Sequence, residues 1–164
     1  MCLHTALHRL QARLEDTVLF IASNQTLCYF IARWVCKRVT SPLIRSALLR
    51  RIYLLFEPFE IGLRQISISN STIVHASVNA SDVPPITNVI IDEAHHVYSK
   101  PSLRALVEQY TKPKHTSHPR LLLLSDVSQS LGASVQYPEL ESGPPKEVAL
   151  TEVVRSTQRI VVRR

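Results

Sequence analysis

Apolar residues recur along the first part of the chain with two different spacings, which distinguish helices from strands. Four leucines lie three or four residues apart near the start, and this predicts an amphipathic helix over residues 2–15. The run TVLFIAS, residues 17–23, is almost continuously apolar and predicts a strand buried on both faces. Helical spacing returns in NQTLCYFIARWVCKRV, residues 24–39. A Ser-Pro pair typical of a helix start then predicts a further helix over residues 42–56.

The middle of the chain has a weaker pattern. Over residues 57–85, the segment QISISNSTIVHASV has the β-branched content of strands but is interrupted by asparagine and serine. The pattern sharpens again in TNVIID, residues 87–92, which predicts a strand, and in KPSLRALVEQY, residues 100–110, which predicts a helix.

Two more strands are predicted towards the end of the chain. RLLLLSD, residues 120–126, is the more apolar, and EVALTE, residues 147–152, is short. A segment rich in glycine, proline and serine joins them, and a helix is predicted to begin within residues 155–164. Strands that do not alternate in polarity, separated by helices, predict an α/β fold with a mostly parallel sheet covered on both faces. The length of 164 residues fits one such domain, residues 1–164.

Composition excludes several classes of protein. Hydrophobic residues make up 45% of the chain and charged residues 20%, as in folded globular proteins. No apolar run approaches the roughly 20 residues that span a bilayer, so no membrane partner is expected. The start lacks the features of a secretory signal, which predicts an intracellular protein of the cytoplasm or nucleus. The 3 cysteines are too few for a disulfide framework.

Positive charge is concentrated in one part of the chain. Residues 33–51 contain no acidic residue and carry Arg33, Lys37, Arg38, Arg45, Arg50 and Arg51. Their summed positive charge equals the formal net charge of +6 for the whole sequence. Such a block suits a nucleic-acid backbone, and a solvated helix face remains the alternative interpretation.

Polar residues follow the predicted strands at the point where each strand ends. In open parallel sheets ligands bind at the carboxyl ends of the strands, so these residues are the candidates for chemistry. They are Asn24 and Gln25, Asp92 and Glu93, Asp126 and Gln129, and Arg155.

Four segments resemble motifs of the superfamily 1 helicase-like P-loop ATPases. VIIDEAHH is similar to the Walker B motif, and LLLLSDVSQS resembles the motif that usually reads Gly-Asp-x-x-Gln. LTEVVRSTQRIV is similar to the following arginine motif, and LFIASNQTLCYFI resembles the motif Ia region in the Asn-Gln-x-Leu form of Schlafen-like proteins. The chain thereby resembles part of a RecA-like helicase ATPase domain, from Walker B through the arginine motif.

The resemblance implies ATP and Mg²⁺ as ligands and a role for each strand-end residue. Asp92 would hold Mg²⁺, and Glu93 would act as the general base that orients the attacking water. Gln129 would sense the γ-phosphate, supported by Asp126, and Arg155 would face the γ-phosphate as an arginine finger.

Nucleic acid, either DNA or RNA, is the implied macromolecular partner. The residues expected to bind it are Asn24, Gln25, Arg33, Lys37 and Arg38. His95 or His96 would couple the nucleotide site to nucleic acid or to the second RecA-like domain that such helicases have.

The Gly-x-x-x-x-Gly-Lys-Ser/Thr loop that holds phosphates in this family is missing from the sequence. Only Gly62, Gly132 and Gly143 are present, and none precedes a lysine. We therefore expect the loop and its strand upstream of Met1, and an inactive site in the chain as given. The resemblance also implies the strand order 5-1-4-3-2, in which the phosphate-loop strand is strand 1.

Other interpretations of the same residues stay open. Asp92 and Glu93 could cap the next helix, and Asp126 with Gln129 could form a turn. A zinc site is disfavoured because adjacent histidines on a helix point about 100° apart; its ligands would be Asp92, His95, His96, His115 and His118. The whole chain could also be a non-catalytic module that binds nucleic acid or protein.

Overall fold

The computed structural model describes residues 16–70, 72–111, 119–125 and 137. The strands are β1 (Val18–Ile21), β2 (Ile52–Leu55), β3 (Arg64–Ser69), β4 (Thr72–Ser77), β5 (Asn88–Ile91) and β6 (Arg120–Leu123). The helices are α1 (Gln25–Arg38), α2 (Pro42–Leu49), α3 (Ala94–Ser99) and α4 (Pro101–Thr111), with short 3₁₀ turns at Phe59–Ile61 and Ala80–Asp82. The predicted helix over residues 2–15 and the elements predicted after residue 146 lie outside the described residues.

The described strands form one six-stranded sheet in the order β4-β3-β2-β1-β5-β6. Neighbours among β2, β1, β5 and β6 are parallel, whereas β3 and β4 add an antiparallel hairpin beside β2. The sheet is therefore mixed but mostly parallel, and the α/β class predicted from the sequence is confirmed.

Helices cover both faces of the sheet because alternate residues of the central strands point to opposite sides. Val18 and Phe20 of β1 join a core cluster with α1 and α2, whereas Leu19 and Ile21 join a second cluster with α3 and α4. All four of these side chains are buried. The unbroken apolar run that predicted β1 thus reflects burial on two faces.

The first two helices begin at residues that satisfy free backbone N–H groups. Asn24 caps α1 by accepting a hydrogen bond from the backbone N–H of Leu27 at 3.1 Å. Ser41 caps α2, and Pro42 occupies the first turn. The start of α2 confirms the Ser-Pro interpretation, whereas the cap of α1 was not predicted from the sequence.

The predicted helix over residues 42–56 is wrong in its second half. The helix ends at Leu49, and Ile52–Leu55 forms a fully buried strand parallel to β1. A short apolar run fits a helix and a buried strand equally well by periodicity alone. Burial against α2 on one side and Phe59 on the other decides in favour of the strand.

The irregular middle segment is a hairpin. Residues 64–69 and 72–77 pair from Arg64 opposite Ser77 to Ser69 opposite Thr72. Asn70, which interrupts the β-branched pattern, begins the turn and has a φ of 48°, in the left-handed region that asparagine tolerates. The interruption in the sequence pattern is thus the turn between two strands.

The predicted helix over residues 100–110 corresponds to α4, and a short helix, α3, precedes it directly after the Asp92–Glu93 pair. None of the described helices combines the length and apolar character that crossing a bilayer requires.

A threonine-rich seam fastens the amino ends of β1 and β5. The Thr17 hydroxyl donates to the carbonyl of Pro85 at 2.6 Å and accepts from the N–H of Thr87 at 3.1 Å. The Thr87 hydroxyl in turn donates to the Thr17 carbonyl at 2.9 Å. The seam fixes the register in which β1 lies beside β5, Val18 opposite Asn88.

Replacing Thr17 by valine should test this seam. Thr17→Val keeps the side-chain shape but leaves the Pro85 carbonyl and the Thr87 N–H without their partner. We expect the free energy of unfolding in urea to fall by about 1–3 kcal/mol. The matched change Thr26→Val, at an exposed position on α1, should alter it by less than about 0.5 kcal/mol. Equal losses in the two variants would contradict the assigned role.

Candidate functional site

The carboxyl ends of the four parallel strands form one row. Ile21 lies in register with Leu55 on one side and with Ile91 on the other, and Ile91 lies in register with Leu123. The ladder continues one residue further, because the N–H of Asp92 donates to the Ile21 carbonyl at 2.8 Å. The residues that follow all four strands therefore leave the sheet at the same edge.

Glu93 is held in an unusual backbone conformation at this edge. Its φ of 50° and ψ of 47° lie in the left-handed region, which is unfavourable for residues other than glycine. Its carboxylate accepts a hydrogen bond from the Ser23 hydroxyl, which follows β1, at 3.1 Å. Asp92 accepts the Glu93 backbone N–H at 3.1 Å. Glu93 makes no side-chain cap to α3, so capping does not explain its position.

The start of α3 is tied to the end of β6. The N–H of Ala94 donates to the Leu124 carbonyl at 2.8 Å. One residue further along each segment, the Ser125 hydroxyl lies 3.2 Å from Nδ1 of His95. The hydroxyl of Tyr137 donates to the same Ser125 oxygen at 2.9 Å. Histidine, serine and tyrosine thus form a polar chain beside the carboxylates.

His96 points to a different neighbour from His95. Its Nε2 accepts from the ammonium group of Lys100 at 3.2 Å and lies 3.9 Å from a carboxylate oxygen of Glu57, which follows β2. The two histidines therefore contact residues on opposite sides of β5, as expected for adjacent positions on a helix.

A buried cation and a buried thiol lie beneath the edge. Arg64 is only 2% exposed; its guanidinium donates to the carbonyls of Phe56 and Pro58 and lies 3.8 Å from the centre of the Phe56 ring. Burial lowers the pKa of Arg64 below its ordinary value. Burial also raises the pKa of Cys28 to about 12, with the negative charge of Asp92 adding to the effect and Arg64 opposing it. Cys28 is thus a neutral thiol, and Asp92 acts on this region through its charge.

The predicted nucleic-acid residues divide into two groups. The side chain of Asn24 caps α1, and the amide of Gln25 donates to the Tyr29 hydroxyl at 2.9 Å, both near the sheet edge. Arg33, Lys37 and Arg38 are exposed along the second half of the same helix. The sequence analysis predicted that these residues bind nucleic acid together, whereas the fold distributes them over the length of α1.

Three predicted site residues lie outside the described residues: Asp126, Gln129 and Arg155. His115 and His118 of the zinc alternative lie outside them as well. Within the described part of the chain, no group of three or more histidine, cysteine, aspartate or glutamate residues is arranged to hold a metal ion.

Sequence reasoning missed Ser23 and Tyr137. Ser23 directly precedes the Asn-Gln pair that was singled out, and its position two residues after a strand that neighbours β5 was the available signal. Tyr137 comes from a Gly/Pro/Ser-rich connection with no local pattern, so nothing in the sequence indicated its contact with Ser125.

Comparison with family models, with curated proteins and with solved structures finds no match to this chain. The functional interpretation therefore depends on the geometry of the site and on the motif resemblance.

Two separate substitutions of Glu93, by glycine and by alanine, should reveal the backbone strain at this position. Glu93→Gly and Glu93→Ala both remove the hydrogen bond from Ser23, but only glycine adopts φ near 50° without a steric cost. We expect the glycine variant to be more stable than the alanine variant by about 1 kcal/mol in urea unfolding. The same pair at exposed Glu60, where φ is not positive, should show the reverse order. If the alanine variant were more stable than the glycine variant at both positions, the proposed backbone strain at Glu93 would be contradicted.

Proposed function

We propose that the carboxyl edge of the sheet is the magnesium–nucleotide site of a superfamily 1 helicase-like ATPase. In this proposal the parent activity couples ATP hydrolysis to movement along nucleic acid or to its remodelling. One observation carries the proposal: adjacent carboxylates, Asp92 and Glu93, follow a strand buried on both faces and lie between the ends of two parallel neighbours.

The order of the strands supports this proposal. The strands of the motif Ia, Walker B and Gly-Asp-x-x-Gln-like segments are β1, β5 and β6, and they are adjacent in the order β6-β5-β1. This matches the 4-3-2 part of the order that the resemblance implies. In that order β1 would be an edge strand, whereas here β2, β3 and β4 continue the sheet beyond it. The adjacency puts Ser23, Asp92 and Ser125 at one edge, where ligands of open parallel sheets bind.

The two carboxylates have different surroundings, which favours different roles. Glu93 is oriented by Ser23 and by its own backbone conformation, as a base that must direct one water molecule would be. Asp92 is the better candidate for Mg²⁺, which binds to one or two carboxylates and keeps several waters. Gln129, Asp126 and Arg155 complete the proposed site.

The sequence contains no Gly-Lys pair, so the phosphates of a nucleotide would have few backbone donors. We therefore propose weak nucleotide binding and little hydrolysis by this chain alone. A non-catalytic module that binds nucleic acid is the second candidate, and the exposed cations of α1 favour it.

Manganese should report on the proposed metal site. Mn²⁺ takes the same oxygen ligands as Mg²⁺, and its unpaired electrons broaden nearby amide signals in NMR spectra. We expect broadening centred on residues 92–93 and on Ser23. Asp92→Asn should weaken Mn²⁺ binding at least about tenfold, or 1.4 kcal/mol, because the only proposed protein ligand is lost.

Two further variants make this test specific. Glu93→Gln should change the Mn²⁺ affinity by less than about threefold, since Glu93 is the proposed base and not a ligand. Glu60→Gln, which removes an exposed carboxylate elsewhere, should leave it unchanged. Equal losses for Asp92→Asn and Glu93→Gln would contradict the division of roles, and the absence of local broadening would contradict the metal site.

ATP hydrolysis should become measurable once a phosphate-binding loop is added to the chain. We expect a form extended upstream of Met1 by a strand and a Gly-x-x-x-x-Gly-Lys-Thr loop to release phosphate from ATP in a Mg²⁺-dependent reaction. In that form Glu93→Gln should slow release about 100-fold or more, because the base that orients water is lost. An unchanged rate in the Glu93→Gln form would remove the proposed catalytic role of Glu93.

A further inference from the structure

Helix α1 presents an aromatic and basic face to the solvent. Phe30, Arg33, Trp34 and Lys37 are spaced as i, i+3, i+4 and i+7, so they lie along one side of the helix. They line a groove of about 310 Å³. Phe30 is 56% exposed, which is high for a phenylalanine on a helix that also packs against a core.

The opposite side of α1 already supplies its packing. Cys28, Ile31, Ala32 and Val35 are buried against the sheet in the cluster shared with β1 and β2. Trp34 is half-buried and packs against the edge of that cluster, which restrains its ring. Folding therefore accounts for the inward residues and for part of Trp34, but not for Phe30.

The charged residues of α1 and of the segments next to it in the sequence are all positive. The sequence contains no acidic residue from Thr17 to Phe56. Arg33, Lys37 and Arg38 form no ion pair with any other residue in the described part of the chain. Lys37 and Arg38 do suit the carboxyl end of a helix, where the helix dipole favours cations. The helix dipole does not explain Arg33, which lies before the last turn, or the aromatic rings of Phe30 and Trp34.

Cations and rings are also interleaved in space. The guanidinium of Arg38 lies 5.3 Å from the centre of the Trp34 ring, within cation–π range. Planar groups spaced along a cationic surface are the features that bind unpaired bases, since every base offers a π face and every nucleotide a phosphate. A duplex hides the base faces, so this chemistry discriminates in favour of single strands.

We infer that this face of α1 binds single-stranded nucleic acid. Bases stack on Phe30 and Trp34, while Arg33, Lys37 and Arg38 neutralise phosphates. The inference rests on the nucleic-acid partner of the proposed function and is independent of its nucleotide site. Trp34 is ten residues after Asn24, or about 15 Å along the helix from the carboxyl edge. The face is therefore a second site and not part of the first.

Trp34 gives a direct test because it is the only tryptophan in the chain. Its fluorescence should be quenched when oligo(dT) or oligo(rU) is titrated at low salt, because a base stacks on the indole ring. A duplex of the same length should bind at least about tenfold more weakly. With three phosphates neutralised, the logarithm of the binding constant should fall against the logarithm of salt concentration with a slope of about −2.

Variants identify the groups responsible, with binding measured by the anisotropy of a labelled oligonucleotide. Phe30→Ala should weaken binding about tenfold with little change in the salt slope, because it removes stacking and no charge. Arg33→Ala combined with Lys37→Ala should weaken binding and bring the slope to about −0.7. Circular dichroism should show each variant folded, as expected for exposed positions.

Two matched control variants change residues of the neighbouring helix α2, one within the helix and one at its carboxyl end. Leu43→Ala removes an apolar side chain that is 84% exposed on α2, and Arg50→Ala removes an exposed cation of the same basic block. Both should bind the oligonucleotide within about twofold of the unchanged protein. A loss in Arg50→Ala equal to that in the Arg33/Lys37 variant would overturn the assignment to α1.

Three further results would overturn the inference: no quenching of Trp34 by either oligonucleotide, equal affinity for the duplex, or unchanged binding by folded Phe30→Ala. Absence of quenching would favour a protein as the partner of this face. Asp92→Asn should bind the oligonucleotide normally. Oligonucleotide binding without Mn²⁺ binding would thus refute the nucleotide site alone, and Mn²⁺ binding without oligonucleotide binding would refute this inference alone.

Discussion

Burial of the central strands on both faces is the constraint on which the rest of the structure depends. A strand with apolar side chains above and below has no place for a charge along its length, because an unpaired buried charge is strongly unfavourable. Asp92 and Glu93 therefore occur at the first positions after β5. Parallel pairing in register then brings the ends of β2, β1 and β6 to the same level, so the polar residues that follow them meet.

Helix α1 connects the two proposed sites. Its cap, Asn24, follows directly after Ser23, whose hydroxyl binds Glu93 at the sheet edge. The aromatic and basic face lies further along the same helix. The two sites thus lie at different positions along one rigid element.

Part of the stability of the fold is given up at the site. Glu93 occupies a left-handed conformation, and Arg64 is a cation buried beneath the edge with carbonyl groups and an aromatic ring as its partners. Glycine would adopt the same conformation at the turn without the steric cost, and a buried cation is more costly to desolvate than an apolar residue. Strain and buried charge of this kind are typical of functional sites, where orientation of a group outweighs its cost.

The sequence by itself determined the α/β class, the strands β1, β5 and β6, the cap of α2, and the acidic pair after β5, because these depend on spacing within a few residues. Only the tertiary structure decided that Ile52–Leu55 is a strand, since an apolar run fits either element until its neighbours are known. It also decided the contacts of Ser23 with Glu93 and of Ser125 with His95 and Tyr137. Those contacts depend on which strand lies beside which and in what register, and these are properties of the assembled sheet that no local pattern contains.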